Sequence, residues 1–436
     1  MDKIYFVIPA LALFSDLLLK RFISGNWAVA TQYGLAVMVL VWISLANRNK
    51  EVPRPSATAS RMNFFVYYLI IAYCIAAMTS FNVPLSYSLT HVLYICIPLL
   101  YIPVISRRCA EFDMAKLINI FLLLMIPINI AGLIQYTIDP GFLISAAYNE
   151  EGGIVFHNSY QDIFLRYPSI FVSADRYSAV GLVQFYFAII LLWASTNKTR
   201  NMRRWIYFNL ISSVAALIIA GARSRMFIIL LLIILMGLSV LLYRTPLLSL
   251  RTIYKKSARA RLIILTVGIF IIVYGSGLLK RLEDFPALGF FITSIREGDA
   301  KDRVQDYISE SAVSGEISLA GEGLGSLGLG GKPAERGITS LWIECGLIGG
   351  SLILIGFCGI TFILALQSLR AFIRGRPVEV CIFALPAMVL VAGLLAGLTA
   401  VFELSLGILL MCAIAGVIKQ LPLSADHGVQ TRFVRG

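Results

Sequence analysis

Apolar positions in this chain are grouped into long, nearly unbroken runs; they neither alternate nor recur at a three-to-four spacing. Bounded by charges, Pro or Gly, the runs fall at residues 4–19, 27–46, 62–79, 85–106, 115–138, 177–195, 205–221, 226–243, 262–279, 338–366, 380–401 and 404–418. A helix crosses a hydrocarbon core of about 30 Å at about 1.5 Å per residue, so runs of this size predict membrane spans. The pattern predicts an all-α, polytopic integral membrane protein with about 12 transmembrane helices, forming one transmembrane domain over residues 1–436. Most connections are short. Two are long, 139–176 and 280–337, and long structured loops between short links are where function tends to reside. Within the second, residues 299–313 predict an amphipathic surface helix. Val304, Tyr307, Ile308 and Ala312 share one face, and Asp302, Asp306 and Glu310 the other. No internal repeat is visible.

Composition agrees with the pattern: 58% of residues are hydrophobic and 14% charged, with mean hydropathy +0.83. Soluble domains carry about 25% charged residues, so a soluble enzyme is excluded. The net charge of +13 would in a soluble protein point to nucleic acid. Sorting it along the spans removes that reading. With the N-terminus inside, the inner loops and tails hold 24 of the 37 basic residues and six of the 24 acidic ones, a local +18 that leaves −5 for the rest. That bias is the positive-inside signal, and it predicts both termini in the cytoplasm and no nucleic-acid partner. Near the N-terminus, Lys20 and Arg21 separate the first run from the small triplet Ala28-Val29-Ala30, which predicts an uncleaved first span. The seven cysteines fall in or beside apolar runs and form no CxxC pair.

Basic residues that defy this sorting are the first candidates for chemistry. In GARSR, Arg223 and Arg225 stand at the outer boundary where one span ends and the next begins. Guanidinium charge and the free amides of a helix start make an anion site there; snorkelling to lipid phosphates is the alternative. Arg303 lies on the amphipathic helix, where Asp299 and Asp306 are placed to pair with it. The acids nearby contain no Asp-x-Asp pair, so a solvated face is expected and no metal. GEGLGSLGLGG, Gly321 to Gly331, formally contains GxGxxG, but no strand precedes it, and an anion-approaching loop or a hinge fits better than a dinucleotide site. Glu322, Glu335, Arg336 and Glu344, with His157 and Arg166 from the first long loop, complete the outer set. Glu344 sits about two turns into the tenth span, where a carboxylate is costly and a functional candidate by default. Pairing with a loop arginine is its bland alternative. His157 is the one near-neutral base in an outer loop, though a lone loop histidine is commonly just solvated.

AGARSRMFIILLLI, DRVQDYISESAVSGEISLAGEGLGS and ITSLWIECGLIGGSLILIGF, in this order, resemble the C-terminal half of the O-antigen polymerase and ligase superfamily over roughly residues 160–365. The matching positions are Ser224-Arg225, Arg303, Gly321 to Gly325 and Glu344-Cys345-Gly346. The resemblance implies a GT-C-like membrane glycosyltransferase architecture and metal-independent, cofactor-free glycan transfer at the periplasmic face. The donor and acceptor would be glycans on undecaprenyl pyrophosphate, with membrane lipids and possible chain-length regulator and flippase proteins as partners. Arg225 and Arg303 would grip the donor pyrophosphate, with Arg223, Arg166 and Arg336 as further cations. Ligases of that family carry a His-Asn pair where this chain has Glu335-Arg336, which favours polymerisation of O-antigen or exopolysaccharide repeat units over the ligase reaction or protein O-oligosaccharyl transfer. Base candidates, in falling preference, are Glu335, Glu322, Glu344 and His157. A transporter of polysaccharide or lipid-linked sugar is the rival class; few ionisable groups lie inside the spans, chiefly Asp16, His91 and Glu344, which leaves little for a proton relay. A non-catalytic assembly scaffold is a third.

Overall fold

The computed structural model describes residues 5–14, 25–46, 55–80, 82–108, 112–139, 142–143, 167, 169–171, 174–194, 199–221, 223–244, 319, 321–327, 337–396 and 404–425. All regular structure among them is helical: α1 (Tyr5–Phe14), α2 (Gly25–Ala46), α3 (Ala57–Met78), α4 (Leu85–Arg108), α5 (Met114–Thr137), α6 (Ala174–Ala194), α7 (Arg200–Ile219), α8 (Arg223–Arg244), α9 (Gly337–Ile373), α10 (Pro377–Ala396) and α11 (Leu404–Ala425). Seven of these helices are long and apolar enough to cross a membrane, and four shorter apolar helices lie at Tyr5–Phe14, Thr31–Leu45, Arg225–Val240 and Leu406–Lys419. The chain is a polytopic membrane protein. Eleven of the twelve expected runs coincide with these helices; residues 262–279 lie outside the described ones, as does 299–313.

Helix starts follow local chemistry. Ser56, Asp113 and Thr199 each accept the amide three residues on, from Ala59 at 3.1 Å, Lys116 at 2.9 Å and Met202 at 3.3 Å. The α3 cap at Ser56 places Arg61 inside the helix, five residues earlier than the run bounded by charge.

The helices pack around two interior members. α4 lies among α2, α3 and α11, and α6 among α5, α7, α8, α10 and α11. α9 covers α3 and α10. Gly356 and Gly359 let it approach closely, because a Cβ at either would strike Leu69 or Phe65 of α3. Phe64, Ile71, Ile75, Ile211, Ile355 and Phe362 are exposed around the outside, as a lipid-facing surface requires.

Contacts between helix ends fix two ends of the bundle. At one, Trp193 donates to Glu379 at 3.3 Å, Gln367 to Thr58 at 3.1 Å and Ser106 to Asn63 at 3.1 Å, and the Asp113 amide to the Tyr5 hydroxyl at 2.8 Å. Arg61, Arg107, Lys116, Arg200, Arg203, Arg204, Arg370, Arg374 and Arg376 cluster there, so this is the basic end. Tyr5 near the start of α1 and Gly416 of α11, whose Cα faces Met114, lie at this end too. The two termini of the described chain are thus on one side. α8 begins opposite the basic end and runs toward it, with Leu235 packing on Phe372 and Val380. Gly321 lies back at the opposite end.

Candidate functional site

The end opposite the basic one is built on a broken helix. α9 is interrupted at Gly346 (φ 68°, ψ 174°), a backbone region open essentially to glycine alone. The break frees the carbonyls of Ile343 and Glu344, and the glycine-rich loop takes them. Glu322 donates its amide to the Ile343 carbonyl at 2.8 Å, and Gly323 to that of Glu344 at 2.9 Å. Gly321 (φ 78°) lies directly against the break, since a Cβ there would strike the Gly346 amide. The loop's other side is held by the α3–α4 connection. Ser80 Oγ accepts the Leu324 amide at 2.8 Å, Ser88 Oγ donates to the Leu324 carbonyl at 3.0 Å, and the Leu324 side chain is fully buried. Residues 321–327 therefore form a plug seated between α3, α4 and α9.

Beneath the plug lies Glu344, 1% exposed. Its Oε1 accepts the Leu327 amide at 3.2 Å, and the Gly325 amide also donates to the carboxyl. Its Oε2 stands 3.5 Å from His91 Nδ1 on α4, itself 1% exposed. Among the described residues neither His91 nitrogen has a hydrogen-bond partner, so the pair is in close approach without hydrogen-bond geometry. The Tyr73 ring of α3 lies 5.9 Å from the imidazole, and its buried hydroxyl also has no hydrogen-bond partner among the described residues. Cys345 follows Glu344, buried. The pair sits about two turns, or roughly 10 Å, inside the starts of α4 and α9.

A second group occupies the same end. α6 ends against the start of α10 at the basic end through Trp193 and Glu379, so its own start lies at the same end of the bundle as the start of α9. Here Arg225 donates to the buried Ser178, and Arg176, 7% exposed, lies on the same turn of α6. The stretch between is pinned by Gln135, which accepts the Ser169 amide at 2.7 Å and donates to its carbonyl at 2.8 Å, and by the Tyr167 amide on the Ile219 carbonyl at 3.2 Å. Desolvation, reinforced by Tyr136 5.6 Å away, raises the Tyr167 phenol above its usual value.

No protein-family model matches the chain, and no curated protein matches it. Among the described residues no group of three or more His, Cys, Asp or Glu is arranged to hold a metal.

The expected site residues divide three ways. Arg225 and Glu344 fall at one end of the bundle, Arg225 in a side-chain contact and Glu344 buried under the loop. Glu322 is there but points to the exterior, its amide and not its carboxyl engaged with α9. Arg223 opens α8, with its side chain outside the described set, as are Glu335, His157, Arg166, Arg303 and Arg336 altogether. The expected alternative for Glu344, a loop arginine as partner, gives way to His91 among the described residues. By sequence His91 stands out only as one of a few intramembrane ionisable groups, and nothing in the sequence marks Arg176 or Ser178. A usable signal existed for the first: His91 and Glu344 each lie six residues after the start of an expected span, at 85 and 338, and hence at matching depth.

Chemically, the arrangement offers two separated functions on one side of the membrane domain. Arg225 presents a cation at the helix ends. Glu344 is a carboxyl aimed, with an imidazole behind it, at a loop rich in backbone amides.

Proposed function

We propose that this chain polymerises lipid-pyrophosphate-linked oligosaccharide repeat units into a surface polysaccharide at the outer face of a bacterial inner membrane, within a twelve-span, GT-C-like architecture. The reading rests on the resemblance of its C-terminal half to the O-antigen polymerase and ligase superfamily. The observation that carries it is the presence of Arg225 and Glu344, from separate segments of the chain, at the same end of the bundle, away from the basic residues. Glycan transfer from a pyrophosphate needs a cation for the leaving group and a base for the incoming hydroxyl. Arg225 meets the first need, and Arg303, Arg223, Arg166 and Arg336 are further cations for it. Glu344 meets the second and displaces Glu335 as the preferred base, with Glu322 and His157 behind. The plug over Glu344 must lift to admit an acceptor, and the glycines at 321, 323 and 325 supply its hinges.

Transport is the second reading, favoured by one observation: a broken helix beside a paired His and Glu is a feature of ion-coupled carriers. Depth weighs against it. Carrier sites lie near the bilayer midplane, about 15 Å from either boundary, whereas this pair is roughly 10 Å from the helix starts.

Purified protein incubated with a lipid-linked repeat unit separates the readings. A ladder of products supports polymerisation. A single transfer to a lipid or protein acceptor assigns ligase or oligosaccharyltransferase activity. No covalent product, with vesicle uptake of the lipid-linked sugar, assigns transport; neither, with alanine at Arg225 tolerated in vivo, leaves a scaffold.

A further inference from the structure

The residue that the reaction scheme above leaves unused is His91. It is buried on α4, its Nδ1 faces the Glu344 carboxyl at 3.5 Å, and neither of its nitrogens is held by a hydrogen bond among the described residues. A buried imidazole without a hydrogen bond goes without compensation for the water it has lost, and burial of both members of an ionisable pair adds to the cost. Buried polar side chains in general avoid that cost by hydrogen-bonding a neighbouring backbone or side-chain group. Here Ser88, one turn before His91, spends its hydroxyl on the loop instead. The imidazole is thus kept with open proton positions next to the one buried carboxyl of the described chain.

We propose that His91 and Glu344 act as a proton-transfer dyad, His91 receiving from Glu344 the proton that the carboxylate takes from the acceptor hydroxyl. This rests on the polymerase reading for its substrate. The acceptor oxygen forms a bond to the anomeric carbon as the bond from that carbon to the pyrophosphate oxygen breaks, and the electron pair leaves with the pyrophosphate. The hydroxyl proton passes to Glu344 and then to His91 Nδ1, which restores the carboxylate. The imidazolium returns its proton to water when the 321–327 plug lifts. Other titratable groups around the pair are Tyr73 on α3, Cys96 on α4, Cys345 on α9 and Glu322 on the loop. None of them stands between Nδ1 and Oε2.

The test uses the full chain in detergent or nanodiscs, with His91→Asn as the main variant, because the amide fills much of the same space but cannot carry a proton. Expected is a fall in kcat of about 100-fold with KM for the lipid-linked unit within about twofold, the range of a lost acid–base partner. His91→Asn at near wild-type kcat overturns the dyad. A second arm needs no activity: infrared difference spectra across a pH series, with the Glu344 carboxyl band assigned by Glu344→Gln. The dyad predicts that His91→Asn, or His91→Phe where Asn fails to fold, displaces the midpoint of that band by at least about one pH unit. An unchanged midpoint overturns the pair. If wild-type protein makes no polymer while the midpoint still moves, the pair stands and the polymerase reading falls.

Discussion

Gly323 donates its amide to the carbonyl of Glu344 at 2.9 Å, across a break in α9 that the backbone of Gly346 makes possible. Helix break and loop are one device, since each supplies what the other lacks: free carbonyls on α9, free amides on the loop. Gly346→Ala forces a side chain into φ 68°, ψ 174°, a cost of about 1–3 kcal/mol before any loss of loop contacts. Thermal unfolding in detergent is expected to move down accordingly, and Gly321→Ala, whose Cβ strikes the Gly346 amide, to lower it as well. A Gly346→Ala protein with an unchanged midpoint would mean that α9 can run straight here.

The plug is fastened on its far side by two serines. Ser80→Ala and Ser88→Ala each remove one hydrogen bond to Leu324, worth about 1 kcal/mol. Together they are expected to increase opening by about ten- to thirtyfold. Cys345, buried beneath the loop, reports it: with the other cysteines replaced, maleimide labelling of Cys345 should accelerate by that factor in the double variant. Equal labelling rates would show that the loop opens independently of the α3–α4 connection.

Much of this architecture is legible in the sequence, because membrane solvent reduces the choices to helices whose length and charge bias follow from composition. The basic end, with Arg61, Arg203 and Arg374 from distant segments, is where charge sorting puts it. What was not legible is pairing. Nothing in ITSLWIECG or LTHVLYIC states that Glu344 meets His91, since the contact depends on α9 packing along α3 and on the break that turns Glu344 under the loop. Equal depth in two spans was the available clue, and it narrows partners without selecting one. Arg176 is hidden for a different reason: by sequence it closes the first long loop, 139–176, whereas α6 begins at Ala174 and carries it into the bundle.

Arg225 is expected to act on binding of the pyrophosphate donor. Arg225→Ala should lower kcat/KM for the lipid-linked substrate by about 10- to 100-fold, mostly through KM, in a purified elongation assay. Arg225→Lys retains charge but not the two-pronged donor geometry and should recover only part of the loss. Elongation by Arg225→Ala at the wild-type rate would remove Arg225 from the donor site.

Buried polarity alone does not mark chemistry in this bundle, and the cluster around Gln184 provides the contrast. Gln184 accepts from Asn129 at 3.0 Å and donates to Asn209 at 3.0 Å and Ser212 at 2.8 Å, while Tyr177 donates to Asn129 at 3.2 Å. Every one of these partners lies on α5, α6 or α7, and the amide of Gln184 is shared fully among them, so the set ties three helices together. Interhelical hydrogen bonds in membranes contribute about 0.6 kcal/mol on average and up to about 1.7 kcal/mol. Gln184→Ala removes three and leaves Asn129 and Asn209 short of partners, so a loss of about 2 kcal/mol in unfolding free energy is expected. The folded fraction should elongate substrate at the wild-type kcat. His91→Asn should give the reverse pattern, with stability held and kcat lost, and that opposition separates a hydrogen-bonded staple from a working group more sharply than either variant alone.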